Sequence, residues 1–131
     1  MKCPFCNDVM VILELNQIET DFCTSCKGIW LDGGELELLL QDEEAIKKLL
    51  SSFGEVHPLN EKRLRCPVCR KKMEKTGAGE NHSIIIDKCI NGHGIWFDSG
   101  ELNRLADYAA SGADNPLSAQ LNDVFKFILK Q

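Results

Sequence analysis

Two stretches decide how this chain is read. Cys23-Thr24-Ser25-Cys26-Lys27-Gly28-Ile29-Trp30-Leu31-Asp32-Gly33-Gly34-Glu35-Leu36 aligns without a gap on Cys89-Ile90-Asn91-Gly92-His93-Gly94-Ile95-Trp96-Phe97-Asp98-Ser99-Gly100-Glu101-Leu102. Nine of the fourteen columns agree: Cys, Gly, Ile, Trp, Leu or Phe, Asp, Gly, Glu and Leu. Self-similarity at this spacing means one unit built twice. Working outward, Cys3-Pro4-Phe5-Cys6 matches Cys66-Pro67-Val68-Cys69, Met10 matches Met73, and Asp21 matches Asp87. The second copy carries three extra residues, which the sequence places around Gly77–His82.

Within copy one, Val9 to Leu15 is rich in β-branched and apolar residues, Asn16-Gln17 can turn the chain, and Ile18 to Phe22 returns it. That pattern predicts a hairpin. In copy two the hairpin strands fall on Met73–Thr76 and Ser83–Lys88. A short Gly-Ile-Trp strand follows each second cysteine cluster, and a helix follows each strand. Asp32 with Glu35, and Asp98 with Glu101, have the spacing of a capping box. In such a box the first side chain accepts from the free N–H groups of the first turn and the second reaches back.

The cysteines carry the chemistry. Cys3, Cys6, Cys23 and Cys26 form two C-x2-C pairs separated by sixteen residues. Each pair can wrap a tight knuckle, and two knuckles joined by a hairpin bring four thiolates round one ion at about 2.3 Å. Four thiolates suit zinc, with iron as the alternative. Copy two offers Cys66, Cys69 and Cys89, but Gly92 stands where the fourth cysteine belongs and His93 one position later. The reading adopted is a second site of three thiolates and the His93 imidazole; His82, Asp87 or water are the alternative fourth ligands. His82 and His57 are otherwise expected to be exposed. Seven cysteines, an odd number, favour metal over a disulfide framework. No apolar segment follows the basic start, and no run approaches the ~20 apolar residues of a membrane span. A cytoplasmic protein with reduced thiols is therefore expected, without membrane attachment.

The pattern C-P-x-C…C-x2-C-x-G-I-W-L-D-x-G-E-L resembles the small bacterial and archaeal zinc-ribbon family named for its likeness to the ribbon of transcription factor IIB. The resemblance covers residues 1–41 and 64–106, about two thirds of the 131 residues. It implies a zinc ribbon at each copy, with ligands at Cys3, Cys6, Cys23 and Cys26 and at Cys66, Cys69 and Cys89. The fourth position of copy two departs from the all-cysteine pattern. The family has no well-established enzymatic activity.

The expected architecture is a small α+β protein of two tandem zinc ribbons, each a β-hairpin and short strand followed by a helix. Ribbon 1 spans 1–41, a helical linker 42–63, ribbon 2 64–106 and a helical extension 107–131. In the linker Ala45, Ile46, Leu49, Leu50 and Phe53 fall at helical spacing; the helix either continues from Leu36 or restarts at Asp42, and Gly54 can stop it. Leu117, Leu121, Val124, Phe125 and Ile128 give the last helix one apolar face. That face is read as the seam of a symmetric homodimer, with packing onto the chain's own ribbons as the alternative.

Charge bears on partners. The chain has 15 basic and 20 acidic side chains, a net charge of -5. Two loaded sites add -2 and -1, bringing the whole to about -8. Against this stands one basic strip, Lys62, Arg63, Arg65, Arg70, Lys71, Lys72 and Lys75, opposed only by Glu61 and Glu74. No aromatic residue interleaves it to stack bases. The expectation is a non-enzymatic protein holding two zinc ions and using the ribbons as a scaffold for a protein partner. Nucleic-acid or transcription-associated binding is the alternative, and rubredoxin-like or thiol redox chemistry ranks last. Trp30 and Trp96 are expected in the core, and Glu35 and Glu101 to cap helices.

Overall fold

A computed structural model describes residues 1–57, 62–110 and 120. Copy one supplies strands β1 (Val11–Leu15), β2 (Ile18–Phe22) and β3 (Ile29–Asp32), then helix α1 (Glu35–Leu40). Helix α2 (Glu43–Ser51) and the two-residue strand β4 (Gly54–Glu55) follow. Copy two supplies β5 (Glu74–Ala78), β6 (Ile84–Lys88), β7 (Gly94–Phe97) and α3 (Glu101–Ala110). The expected hairpins are in place: β1 pairs with β2 and β5 with β6, both antiparallel. The fold is thus the small α+β protein expected. The three extra residues of copy two go into the β5–β6 connection, which carries a 3-10 turn at Glu80–His82.

The two ribbons are not separate beads. Strand β3 pairs antiparallel with β7, aligning Ile29 with Phe97, Trp30 with Trp96 and Leu31 with Ile95. One seven-stranded sheet results, in the order β1-β2-β3-β7-β6-β5-β4. The register is symmetric under exchange of the two copies, so a local twofold passes between Trp30 and Trp96.

Strand alternation divides the core into two layers. Ile29, Leu31 and Phe97 face the helices, where they meet Leu36 and Leu39 of α1, Leu49 of α2, and Leu102 and Leu105 of α3. Trp30 and Trp96, the alternate residues, face the other way and pack with Met10, Met73 and the cysteines. Helices therefore cover one face of the sheet and the cysteine knuckles the other. Both indoles are fully buried, as expected of core residues.

The linker departs in part from its expected helix. The helix does restart at Asp42, whose carboxylate accepts from Glu44 N–H at 3.1 Å, and Gln41 breaks α1 in the left-handed conformation. After Ser51, however, the chain does not simply end a helix at Gly54: it adds β4 to the sheet edge, with Gly54 opposite Gly77. The His82 ring lies over this pair. A methyl group at Gly54 would collide with the His82 ring, and one at Gly77 with His82 Cβ and Val56 Cγ1, so the ring keeps this place only over residues without side chains.

The capping boxes form only by half in copy one. Glu35 reaches back as expected, accepting Asp32 N–H at 2.7 Å, and Glu101 does the same for Asp98 N–H at 2.8 Å. Asp32, however, is not the cap of α1. Gly34 holds that position, without a side-chain hydrogen bond, and the Asp32 carboxylate accepts from Trp30 Nε1 at 2.9 Å. A buried indole N–H needs an acceptor, and that demand outweighs a helix end open to water. Asp98 likewise accepts from Trp96 Nε1 at 3.0 Å.

One pair breaks the internal symmetry. Asp87 on β6 stands opposite Lys75 on β5, with Nζ to Oδ1 at 2.6 Å and side chains only 1% and 10% exposed. Its counterpart Asp21 stands opposite Ile12 instead, and burial with the neighbouring Asp32 charge raises its carboxyl above the usual range. Lys75→Ala should cost about 3–5 kcal/mol, because it strands a buried carboxylate. Lys75→Met combined with Asp87→Leu should recover most of that in chemical denaturation. Equal losses in the single and double variants would refute this.

The helix expected over 117–130 lies outside the described residues except for Gln120. Gln120 accepts from Asn16 N–H at 2.9 Å and donates to Asn16 Oδ1, which places residue 120 at the β1–β2 turn.

Candidate metal centres

Each knuckle is a backbone device before it is a ligand set. In three of the four, the residue after the second cysteine adopts positive φ: Asn7 at 65°, Lys27 at 66° and Arg70 at 67°. Its N–H then returns to the carbonyl of the first cysteine, at 2.9 Å for Asn7 and 2.8 Å for Lys27 and Arg70. This curl turns backbone N–H groups toward the sulfur. Phe5 and Cys6 N–H donate to Cys3 Sγ at 3.4 and 3.2 Å, and Val68 N–H donates to Cys66 Sγ at 3.3 Å. Such donors favour thiolate over thiol.

The fourth knuckle is built differently, and this accounts for its ligand. Here Gly92 takes the positive φ, 77°, and its N–H bonds to Cys89 O at 3.1 Å. The left-handed residue comes one position earlier than in copy one, so the next side chain, His93, turns inward. Its Nδ1 lies 3.4 Å from Cys89 Sγ. Asn91 adds Nδ2 to Cys69 Sγ at 3.8 Å and its N–H to Cys89 Sγ at 3.4 Å.

The donor atoms of Cys3, Cys6, Cys23 and Cys26 all lie within 4.8 Å of one another, and so do those of Cys66, Cys69, Cys89 and His93. The alternatives for the second site are elsewhere: His82 lies over Gly54 and Asp87 pairs with Lys75. His57 is exposed, 3.6 Å from Glu55. The spacing within each group fits a tetrahedral ion. Bonds of about 2.3 Å put thiolates about 3.8 Å apart, and one shorter imidazole bond reduces that to about 3.6 Å. Cys3 and Cys26 sulfurs are 3.7 Å apart, as are those of Cys69 and Cys89.

Electrostatics also call for a cation. Burial pushes the Cys26 thiol well up, and pushes Cys66 up to about 11. The Lys71 N–H, with His93, Asn91 and Cys89, brings Cys69 down to about 6. In the first group, burial of Cys23 is outweighed by the backbone N–H groups of Cys26 and Ser25, which bring its thiol down. Four donors this close release their protons together only with a positive ion between them. Cys3, Cys23, Cys66 and Cys89 are buried in the same layer as the two indoles, so the sites belong to the core.

The transcription factor zinc-finger family model, a zinc ribbon of the TFIIB type, matches residues 2–42 and 65–108. No curated protein and no solved structure matches the chain. With both cysteine-rich groups inside the matched segments, the chain belongs to the transcription factor zinc-finger family and carries its zinc ribbon twice.

Proposed function

We propose that this is a non-enzymatic protein in which two structural zinc ions hold one rigid sheet that serves as a scaffold for a protein partner. The observation that supports it most is the completeness of both donor sets. Four donors converge at each site, whereas a catalytic zinc keeps one position for water or substrate. The repeated carboxylates that could be taken for general bases, Glu35 and Glu101, hold backbone N–H groups of Asp32 and Asp98. Thiol exchange fits poorly, because the C-x2-C pairs precede strands rather than helix N-termini that would activate a sulfur. Iron at the four-cysteine site is distinguished from zinc by its colour.

Elemental analysis of protein made without added metal should give two zinc ions per chain. Cobalt-substituted protein should then keep an unchanged visible spectrum on addition of azide or acetohydroxamate. A spectral shift would reveal an open coordination position and overturn the non-enzymatic reading. A content of one ion would remove the second site.

A further inference from the structure

The β3–β7 pairing creates a feature that neither ribbon has alone. An open cleft of about 910 Å3 runs between the first knuckle of copy one and the first knuckle of copy two. Cys3, Pro4 and Phe5 form one wall and Leu64, Cys66 and Pro67 the other. Of its fifteen described lining residues seven are cationic, and Asp98 is the one acid among those described. Three of these cations are partly engaged: Lys75 with Asp87 at 2.6 Å, Arg63 through Nε on Met73 O at 3.0 Å, and Arg65 through Nη1 on Arg70 O at 3.0 Å, which leaves its other N–H groups to a ligand. Lys2, Lys62, Arg65, Arg70 and Lys72 are exposed. The strip at 62–75 is therefore one wall of a concave site, with Lys2 and Phe5 added from the other copy. Phe5 is 66% exposed at the mouth.

We infer that this cleft docks an acidic segment of a partner protein, a short run of carboxylates carrying one apolar side chain that covers Phe5. The inference rests on the scaffold reading and gives that scaffold its contact surface. Charge complementarity supports it. The described lining residues sum to +6, and the loaded metal sites behind Cys3 and Cys66 return -2 and -1, so the cleft stays positive. Clefts of one sign concentrate ligands of the other. Guanidinium forks at Arg65 and Arg70 match carboxylates, and an exposed aromatic beside them is the usual anchor of a protein contact. A nucleic-acid strand fits less well. Binding of single strands uses several aromatics for successive bases, and Phe5 is the only aromatic among the described lining residues. Beyond the cleft the chain is strongly acidic, since the whole carries -5 and the lining +6. A long polyanion leaving the cleft meets that repulsion, which favours a short acidic run over an extended polyphosphate.

The test uses full-length, zinc-loaded protein and a fluorescein-labelled ten-residue peptide of glutamates with one central leucine. Binding should be micromolar at low salt and weaken as salt rises. Arg65→Glu with Arg70→Glu should weaken it at least tenfold, and Phe5→Ala about fivefold with the same salt dependence. Lys47→Glu with Arg104→Glu, the same charge change on exposed helix positions, should leave it within about twofold. Zinc content and circular dichroism of each variant confirm that it is folded. Binding no tighter than ~100 μM would overturn the inference. So would equal weakening by the control pair, or tighter binding of a labelled ten-nucleotide oligouridylate than of the peptide. Failure here with cobalt spectra still closed to azide removes the cleft alone; a shifted spectrum removes the scaffold reading itself.

Discussion

Removing the zinc with a chelator at neutral pH should unfold both ribbons together. Tryptophan fluorescence should shift to the red and near-UV dichroism should vanish in one transition, with the far-UV signal following the same curve. On the knuckle side of the sheet, the buried layer consists of Met10, Met73, Trp30, Trp96 and four of the cysteines. Without an ion, the thiols there face one another at 3.7 Å and cannot release their protons together. A structural zinc contributes on the order of 10–16 kcal/mol in small domains, against about 5–15 kcal/mol for the whole stability of a typical domain. Loss of either ion therefore exceeds what the remaining apolar contacts can offset. The ribbons also share a central strand pair, so an unfolded copy two leaves β3 with an open edge and Trp30 uncovered. His93→Ala tests that coupling. It should weaken the hold on the second zinc and lower the midpoint of the single transition, with the first ribbon unfolding alongside the second. Two separate transitions, or native fluorescence after both ions are gone, would refute this account.

Much of this was legible in the residues. The C-x2-C spacing gave the first site, because two knuckles with a hairpin between them have few other uses. His93 could be named because a longer side chain one position on can supply the ligand that Cys26 gives in copy one; why it turns inward depends on Gly92 adopting φ 77°, which the sequence only permits. The hairpins followed from β-branched and alternating residues, and the burial of Trp30 and Trp96 from their equivalent positions on a short strand beside the metal. Strand pairing across the copies did not. The repeated Gly-Ile-Trp run identifies β3 and β7 as strands but says nothing of which strand lies beside them, and a motif shared by both copies carries no mark of a partner. The Asp32 carboxylate was read as a cap because its spacing to Glu35 is that of a cap; its competing claimant, the Trp30 N–H, is two residues away and becomes compelling only once the indole is buried. Strand β4 was hidden because Gly54 reads as a helix stop, and its opposite number Gly77 lies in another repeat. The cleft was hidden for the same reason as the β3–β7 seam. Lys2 and Phe5 are some sixty residues from the basic strip, and only the seam brings them together.

Gly28 and Gly94 should be the least replaceable positions outside the ligands. They precede the Ile-Trp pair in each copy, and a local reading makes each a turn glycine. The structure gives them another burden: each accommodates the tryptophan of the other copy. A methyl group at Gly28 would fall 2.2 Å from Trp96 Cζ2, and one at Gly94 would fall 2.6 Å from Trp30 Cζ2 and 2.2 Å from Leu31 O. Trp30 and Trp96 are fully buried and tied by their N–H groups to Asp32 and Asp98, so neither ring can swing away cheaply. Ordinary overpacking costs about 1–3 kcal/mol. Gly94→Ala should exceed that range, because a backbone oxygen in the central strand pair must also move, while Gly28→Ala should lie near its top. Gly100→Ala is the control. It too changes a glycine, at φ 83°, but its new methyl group meets nothing within 4 Å, so it should cost only about 1–2 kcal/mol for the backbone conformation. A double-mutant cycle makes the argument specific to the seam. Trp96→Phe removes the ring atoms that collide with a side chain at Gly28 but not those over Gly94. It should therefore rescue part of the Gly28→Ala loss and none of the Gly94→Ala loss, with a coupling of about 1 kcal/mol or more in urea denaturation. Additive losses in both combinations would mean that the glycines serve their own turns and that the two copies are not held together by this exchange.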